Sequence, residues 1–392
     1  MKKNRTLAAA AMALAAPQAL AAIDFSDPVD GRFDMGNYLA ENAYGFLPVP
    51  IIVTEPAVGY GFGVAGLFLH ESEADKQARK EQALTSFDGG ASLLPPAATV
   101  VGALGTENGS WFALAGHRHT WGEDKIRYLG GVGMGQITLD LYSDLGGLLP
   151  NDQRMSFNTE TEAVAVLQEV QARVGDTPLL LGVKQFYAKT TLSSSSDIVD
   201  GIFRLTGLDD STISGLGLVA EYDTRNNLFY PTEGYEVRVD YMVYDDAIGS
   251  DYDYQNLTVT GEAYFPLAEK WAVAVAGRYE AQYSDESVLP PTMQPYIQLR
   301  GISAFRYQGD EVGAVQAQLS YKIDNRWTLL GFYGVGQTRQ DSLTSGQESR
   351  TADAYGTGFR YKIARRYGIH MGVDVAFSDE DQAFYITMGT GF

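Results

Sequence analysis

The sequence predicts an all-β chain that crosses a membrane as an antiparallel barrel of about 16 strands. Three observations lead there. The 392 residues hold 43 Gly, 24 Tyr, 18 Phe and no Cys, with only 20% charged residues, a mix poor in helix formers and rich in strand formers. Apolar and polar residues alternate with period two over segments of about ten to fourteen residues, longer than the ~5–6 of ordinary strands. The ends of those segments carry Tyr, Trp and Phe, as the aromatic girdles of a membrane barrel do. A soluble sandwich also alternates, but the apolar face here is often glycine or alanine, which suits lipid contact better than jigsaw packing. No run of ~18–20 apolar residues exists, which excludes helical membrane proteins. A formal charge of −20 disfavours nucleic acid, whose phosphates need clustered Lys and Arg.

The elements follow in order. Lys2, Lys3 and Arg5 precede an apolar stretch, Leu7 to Ala16, and Ala19-Leu20-Ala21 is a small-x-small cleavage site. Residues 1–21 therefore read as a Sec-type signal peptide. Residues 22–47 are too poor in apolar side chains to bury a core. Asp27-Pro28 and Gly31 break the segment, and a short helix is expected from Asn37 to Asn42 with Asn37 as its cap. The segment lies in the periplasm or plugs the lumen.

The barrel occupies 48–392. Val49–Thr54 and Gly59–His70 form the first hairpin, and Pro48 and Pro50 stand at a strand start where a ladder donor is dispensable. Strands follow at Ala97–Thr106, Ser110–Trp121, Ile126–Tyr142, Ser156–Val174, Leu179–Ser193, Ser211–Tyr222, Tyr235–Tyr244, Tyr252–Phe265 and Trp271–Ser284. After a long irregular segment, Asp285–Asp310, come Glu311–Ile323, Trp327–Thr338, Thr351–Ile363, Tyr367–Ser378 and Gln382–Phe392. Tyr235, Val237, Val239 and Tyr241 oppose Glu236, Arg238 and Asp240. Ile369, Met371, Val373, Val375 and Phe377 oppose His370, Gly372, Asp374 and Ala376. An even count returns both ends to the periplasm. Asp144–Met155, Ser194–Asp210 and Arg339–Arg350 then read as extracellular loops. The charged, helix-prone Glu71–Leu84 falls on the periplasmic side, where turns are normally short.

Chemical motifs are few. Gly131, Gly133 and Gly135 share one strand face with no helix after them, so they read as barrel geometry rather than a nucleotide loop. His117 and His119 share a face and could ligate a metal or act as a base; interfacial or lumenal polar residues are the plainer reading. His370 and Asp374 lie four residues apart on one strand, too far for a hydrogen bond. Asp245, Asp246, Asp251 and Asp253, and Asp379-Glu380-Asp381, read as solvated loop acids before cation sites. No catalytic residue, metal or cofactor is expected.

Three motifs carry a family resemblance. Asp223-Thr224-Arg225-Asn226-Asn227 followed by Phe229-Tyr230-Pro231-Thr232-Glu233-Gly234 resembles a periplasmic turn of the BamA/TamA outer-membrane assembly family, also called the bacterial surface antigen family. Leu299-Arg300-Gly301-Ile302 resembles that family's Arg-Gly loop motif, with five strands after it. The terminal strand, with Phe384, Ile386 and Met388 on one face and Phe392 at the end, resembles the signal read by the barrel-assembly machinery. The resemblance covers Pro48 to Phe392 and implies a Gram-negative outer-membrane barrel in contact with outer-membrane lipids and lipopolysaccharide. Residues 22–47 are too few for one of the family's periplasmic POTRA domains, so a barrel-only member is expected.

The resemblance also implies that Arg300 folds back into the lumen onto a carboxylate. Gly334 stands where assembly factors usually have that acid, and Gln318 and Ser320 stand where others have one. Alternation leaves Asp374, Glu262 and Asp240 as inward-facing candidates, with Asp374 favoured for its place near the closing seam. The implied role is non-enzymatic: protein or lipid insertion, or scaffolding. A sixteen-strand diffusion pore and an outer-membrane hydrolase are the alternatives. A weak seam between first and last strands favours insertion, and a full ladder favours a pore or scaffold. The sequence leaves oligomeric state and client open.

Overall fold

The computed structural model describes residues 25–86, 88–143, 155–206, 209–285, 289–342, 346–379 and 381–390. The signal-peptide reading, Phe392, and most of the Asp144–Met155 loop fall outside those residues. Sixteen antiparallel strands follow one another in chain order around one sheet. They are β1 Phe46–Glu55, β2 Gly59–His70, β3 Ala97–Thr106, β4 Trp111–Trp121, β5 Ile126–Ser143, β6 Met155–Arg173, β7 Leu179–Ser194 and β8 Asp210–Asp223. The second half is β9 Gly234–Tyr244, β10 Tyr254–Pro266, β11 Trp271–Ser284, β12 Glu311–Lys322, β13 Trp327–Ser342, β14 Gly346–Ala364, β15 Ile369–Ser378 and β16 Gln382–Met388. The even count sets the start of β1 and the end of β16 at the same rim, here called the terminal rim; the opposite one is the distal rim.

Alternation sorts the two faces. On β2, Tyr60, Phe62 and Val64 stand about 60% exposed on the outside. On β9, Tyr235, Val237 and Tyr241 are exposed while Asp240 and Met242 are buried. A wall that is apolar outside and charged inside is a barrel in lipid, not a soluble sandwich. The inner face of β5–β11 carries a belt of ion pairs. Arg127 meets Glu221 at 2.8 Å, Arg238 meets Glu169 at 2.6 Å, Lys184 meets Asp240 at 3.0 Å and Arg225 meets Glu236 at 2.6 Å.

Four expectations need correction. The first helix, α1, runs Gly36–Asn42, and its N-cap is Met35 without a side-chain bond. Asn37 lies inside it and accepts from Arg366 Nε at 3.0 Å instead. Arg339–Arg350 is largely strand rather than loop, because β13 and β14 stay paired as far as Ser342 and Gly346. β16 stops at Met388: Gly389 turns the chain with φ +94°, and a Cβ there would meet the Phe229 carbonyl at 2.6 Å. Ile369, assigned to the lipid face, is 4% exposed and packs into an apolar cluster at the terminal rim.

That cluster absorbs the helix-prone segment after β2. Helix α2, Glu73–Thr85, is capped by Ser72, which accepts from the Asp75 amide. It folds beneath the barrel, where buried Arg79 pairs with Glu71 at 2.6 Å and donates to the Leu93 and Ala43 carbonyls. At the distal rim a third helix, α3 Asp197–Thr206, packs Val199 and Phe203 on Leu192 and Tyr252.

Candidate functional site

Residues 289–310, between β11 and β12, fold back into the lumen. Ile297, Leu299 and Ile302 bury against Val312, Ala352 and Ala354 of the wall. Between them Arg300 points the other way. Its Nη1 donates to Asp374 Oδ2 at 2.7 Å, and its guanidinium lies 3.7 Å over the Phe332 ring. Gln318 accepts from Nη2 at 3.0 Å, so the strand expected to lack a partner supplies a neutral one. Asp374 is fully buried and also takes both Nη groups of Arg360, at 2.5 and 2.8 Å. Arg360 in turn donates to the carbonyls of Gly389 and Thr390. One carboxylate therefore joins the inserted loop, β14, β15 and the end of β16.

Glycines make this possible. Gly358 pairs with Asp374 across the ladder, and a Cβ there would come 2.0 Å from the carboxylate. At Gly301, φ is +97° and a Cβ would press the Ala376 and Ala354 methyls at 3.0 and 3.2 Å. Its amide donates to the Tyr385 hydroxyl at 3.0 Å, and Ser378 donates to its carbonyl at 2.9 Å. Gly334 carries no acid because Leu299 fills the space: a Cβ there would lie 2.9 Å from Leu299 Cδ2. Behind the loop a cavity of about 450 Å³ is bordered by Glu55, Arg278, Tyr296 and Gln316.

Glu262 and Asp240 are engaged by other cations. Glu262 takes Arg225 at 3.2 Å and the Tyr264 hydroxyl at 2.7 Å; Asp240 takes Arg238 and Lys184. Asp240 has its arginine on its own strand, and Glu262 takes one from the β8–β9 turn. Arg360 is the member that sequence reasoning missed, although its place between outward Phe359 and Tyr361 marked it as an inward charge.

The turn before β9 is built by its own side chains. Asn227 Oδ1 accepts from the Phe229 and Tyr230 amides, Asn226 Oδ1 accepts from Thr232, and Arg225 bridges Asp223, Glu236 and Glu262. This seats Tyr230 on the His370 ring with centroids 3.8 Å apart. His370 Nδ1 meets the Gly368 carbonyl, and His117 Nδ1 meets Thr99. Asp245 and Asp253 each accept a loop amide, and Asp251 accepts from Thr212. Phe384 and Met388 are exposed on the outer face, and Ile386 shares it by alternation.

The seam lies between β1 and β16. They run side by side, yet among the described residues no ladder joins them. The Leu69 amide donates to the Gly45 carbonyl, so the odd residues of β1 pair with β2 and the even ones face β16. Pro48 and Pro50 are even and have no N–H. The Phe46 amide is turned onto the Tyr44 carbonyl at 2.9 Å. Near the terminal rim, β1 therefore offers the seam no free donor.

Residues 136–299 match the Omp85 superfamily domain. The barrel superposes on BamA from Haemophilus ducreyi lacking POTRA domains 1–3 with a TM-score of 0.57 at 11% identity, over 88% of this chain and 69% of that one. CdiB from Acinetobacter baumannii and CdiB from Escherichia coli each give 0.54 at 11% identity, over 88% and 87% of this chain. The chain spans about three fifths of each CdiB chain, 59% and 61%. At this identity the likeness is one of fold. No curated protein sequence matches the chain.

Below the seam, the segment before β1 is clamped in place. Arg326, fully buried in the β12–β13 turn, pairs with Asp27, Asp30 and Asp34, and Arg365 Nη2 donates to Asp27 at 2.9 Å. Arg32 meets Asp324 at 2.6 Å. Leu39, Ala40 and Ala43 then pack with Leu47 of β1 and with Ala364, Tyr367 and Ile369 around the β14–β15 turn. The pairing with Arg326 holds Asp30, and that with Arg32 holds Asp324, at a pKa of about 2, below the usual 3.8. Both folded values lie below the unfolded one, so this stabilisation is complete above about pH 4 and is lost as pH falls toward 2. Pepsin access to residues 27–34 should rise across that window while the barrel keeps its folded migration; unchanged access would show that these pairs do not hold the segment.

Proposed function

We propose that this chain is a Gram-negative outer-membrane barrel that admits protein or lipid cargo to the bilayer by opening between β1 and β16. On this reading the terminal rim is periplasmic, residues 1–21 are the export signal, and no reaction is catalysed. The observation that carries it is the terminal-rim half of the β1 edge, which has no free donor because Pro48 and Pro50 face β16. A wall meant to stay closed would pair there, since unmet backbone groups are costly in lipid. The Arg300–Asp374–Arg360 contact is the lock beside that seam, and the cargo class follows from what BamA-type barrels are built to pass.

The test uses the absence of native cysteine. A disulfide between β1 near Ile51–Val53 and β16 near Phe384–Ile386 should abolish the chain's acceleration of folding of a small outer-membrane barrel into liposomes, with reduction restoring it. Acceleration that survives the disulfide, or ion conductance with no acceleration at all, would favour a diffusion pore.

The same reading makes the terminal strand an assembly signal for the barrel-assembly machinery, read through Phe384, Ile386, Met388 and Phe392. Deleting Phe392 should lower the yield of heat-modifiable barrel in the membrane severalfold. Undiminished yield would reduce Phe392 to a girdle residue.

A further inference from the structure

We propose that His70, His117 and His119 form a binding site for the phosphodiester headgroup of a membrane lipid, on the outer wall of β2–β4 at the terminal rim. The inference rests on the membrane-spanning fold and not on the seam. Three of the chain's four histidines meet in this one patch. Register places them there: Thr99 pairs with Phe68 on one side and His117 on the other, and His119 pairs with Tyr128. Their face is the lipid face, shared with exposed Val64, Phe68, Val101, Val132 and Met134.

A polar cluster on that face is costly unless something meets it, because the hydrocarbon offers no partner. Part of the demand is met internally. Thr99 Oγ1 lies 2.8 Å from His70 Nε2 and 2.9 Å from His117 Nδ1. A hydroxyl has one proton, so it donates to at most one ring and the other ring donates to it. Where Thr99 donates to one ring, that ring is left with its second N–H directed off the network. His119 contributes its nitrogens as well; its ring stacks on Trp121 with centroids 4.2 Å apart. Tyr128 stands 6.4 Å from the His117 ring, and its hydroxyl lies over Gly130, where a Cβ would meet it at 2.3 Å. Trp and Tyr at a strand end mark headgroup depth. The anionic acceptor that lipid carries at that depth, on the wall and not in the lumen, is the phosphodiester. A metal fits less well, since among the described residues the only ligand set that converges is Asp245, Asp246 and Asp253.

The experiment adds phosphatidylglycerol, or a phosphate-free galactolipid with the same acyl chains, to the purified full-length barrel and counts retained lipids by native mass spectrometry. The wild type should retain the phospholipid preferentially. His117→Ala/His119→Ala should cut that retention at least about fivefold, the scale of one lost hydrogen bond, and leave the galactolipid unchanged. Thr99→Val keeps the rings and suits a lipid-facing strand. It should lower phospholipid retention also, and it decides the matter if the double variant fails to fold. Equal retention by wild type and Thr99→Val, a parallel loss of both lipids, or hydrolysis of the phospholipid would each overturn the site.

Discussion

Asp374→Asn is expected to destabilise the barrel by about 3–5 kcal/mol, the scale of a broken buried ion pair, and more than Arg300→Ala does. The two losses differ in what they leave behind. Asp374 is fully buried between two guanidiniums, Arg300 at 9% and Arg360 at 0% side-chain exposure. Removing Arg300 still leaves the carboxylate paired with Arg360 through two hydrogen bonds. Removing the carboxylate's charge takes the shared counter-charge from two guanidiniums held side by side; neutral acceptors such as the Gln318 oxygen and the Gly389 and Thr390 carbonyls do not replace it, and a buried charge that loses its counter-charge is costly. The asparagine NH2 also faces donors where the carboxylate offered acceptors. Because all three residues form one unit, the double variant Arg300→Ala/Asp374→Asn should cost less than the sum of its parts. Denaturant midpoints of the wild type, both singles and the double in one detergent measure the cycle. Strict additivity, or an Arg300→Ala loss equal to that of Asp374→Asn, would dissolve the shared lock.

The sequence made the wall legible and left the ends obscure, for a physical reason. A strand between lipid and water must alternate, so β9, β10 and β15 declared both faces, and the inward position of Asp374 followed from counting. Which inward carboxylate an arginine selects depends on distance across the lumen, which alternation does not contain. Glu262 and Asp240 satisfied the same parity as Asp374 and were taken by Arg225 and Arg238. The parity that turns Asp374 inward on β15 also turns Arg360 inward on β14, between Phe359 and Tyr361. The rim segments obey no period. Arg326 sits in a turn two residues after Asp324, and nothing in that spacing says that Asp27, Asp30 and Asp34, about 290 to 300 positions away, close around it. The seam lies between: the sequence marks Pro48 and Pro50 as positions where a ladder donor is dispensable, but only the register with β2 shows that both point at β16.

Arg326→Ala should free the segment before β1 without unfolding the wall. The substitution leaves Asp27 and Asp34, at 3% and 4% exposure, beside Asp30 with Arg365 as the remaining cation. Buried like charges repel, so the local cost is about 3–5 kcal/mol. The β-ladders do not pass through this cluster, and the segment can leave alone, carrying the acids into water. Protease should then cut between Asp27 and Asp34 at neutral pH, while heat-modifiable migration stays that of the folded barrel. Arg326→Lys should rescue only in part, because one ammonium cannot present the planar fork that meets three carboxylates at once. Release also withdraws Leu39, Ala40 and Ala43 from the cluster that ties Leu47 of β1 to the β14–β15 turn. If the segment braces the seam, the freed variant should accelerate barrel insertion beyond the wild type, and the β1–β16 disulfide should cancel that gain. A segment cut at the wild-type rate would show that the Arg326 cluster is not what holds it. A segment cut quickly with no change in insertion would confine the clamp to stability and leave the seam to the Arg300 lock alone.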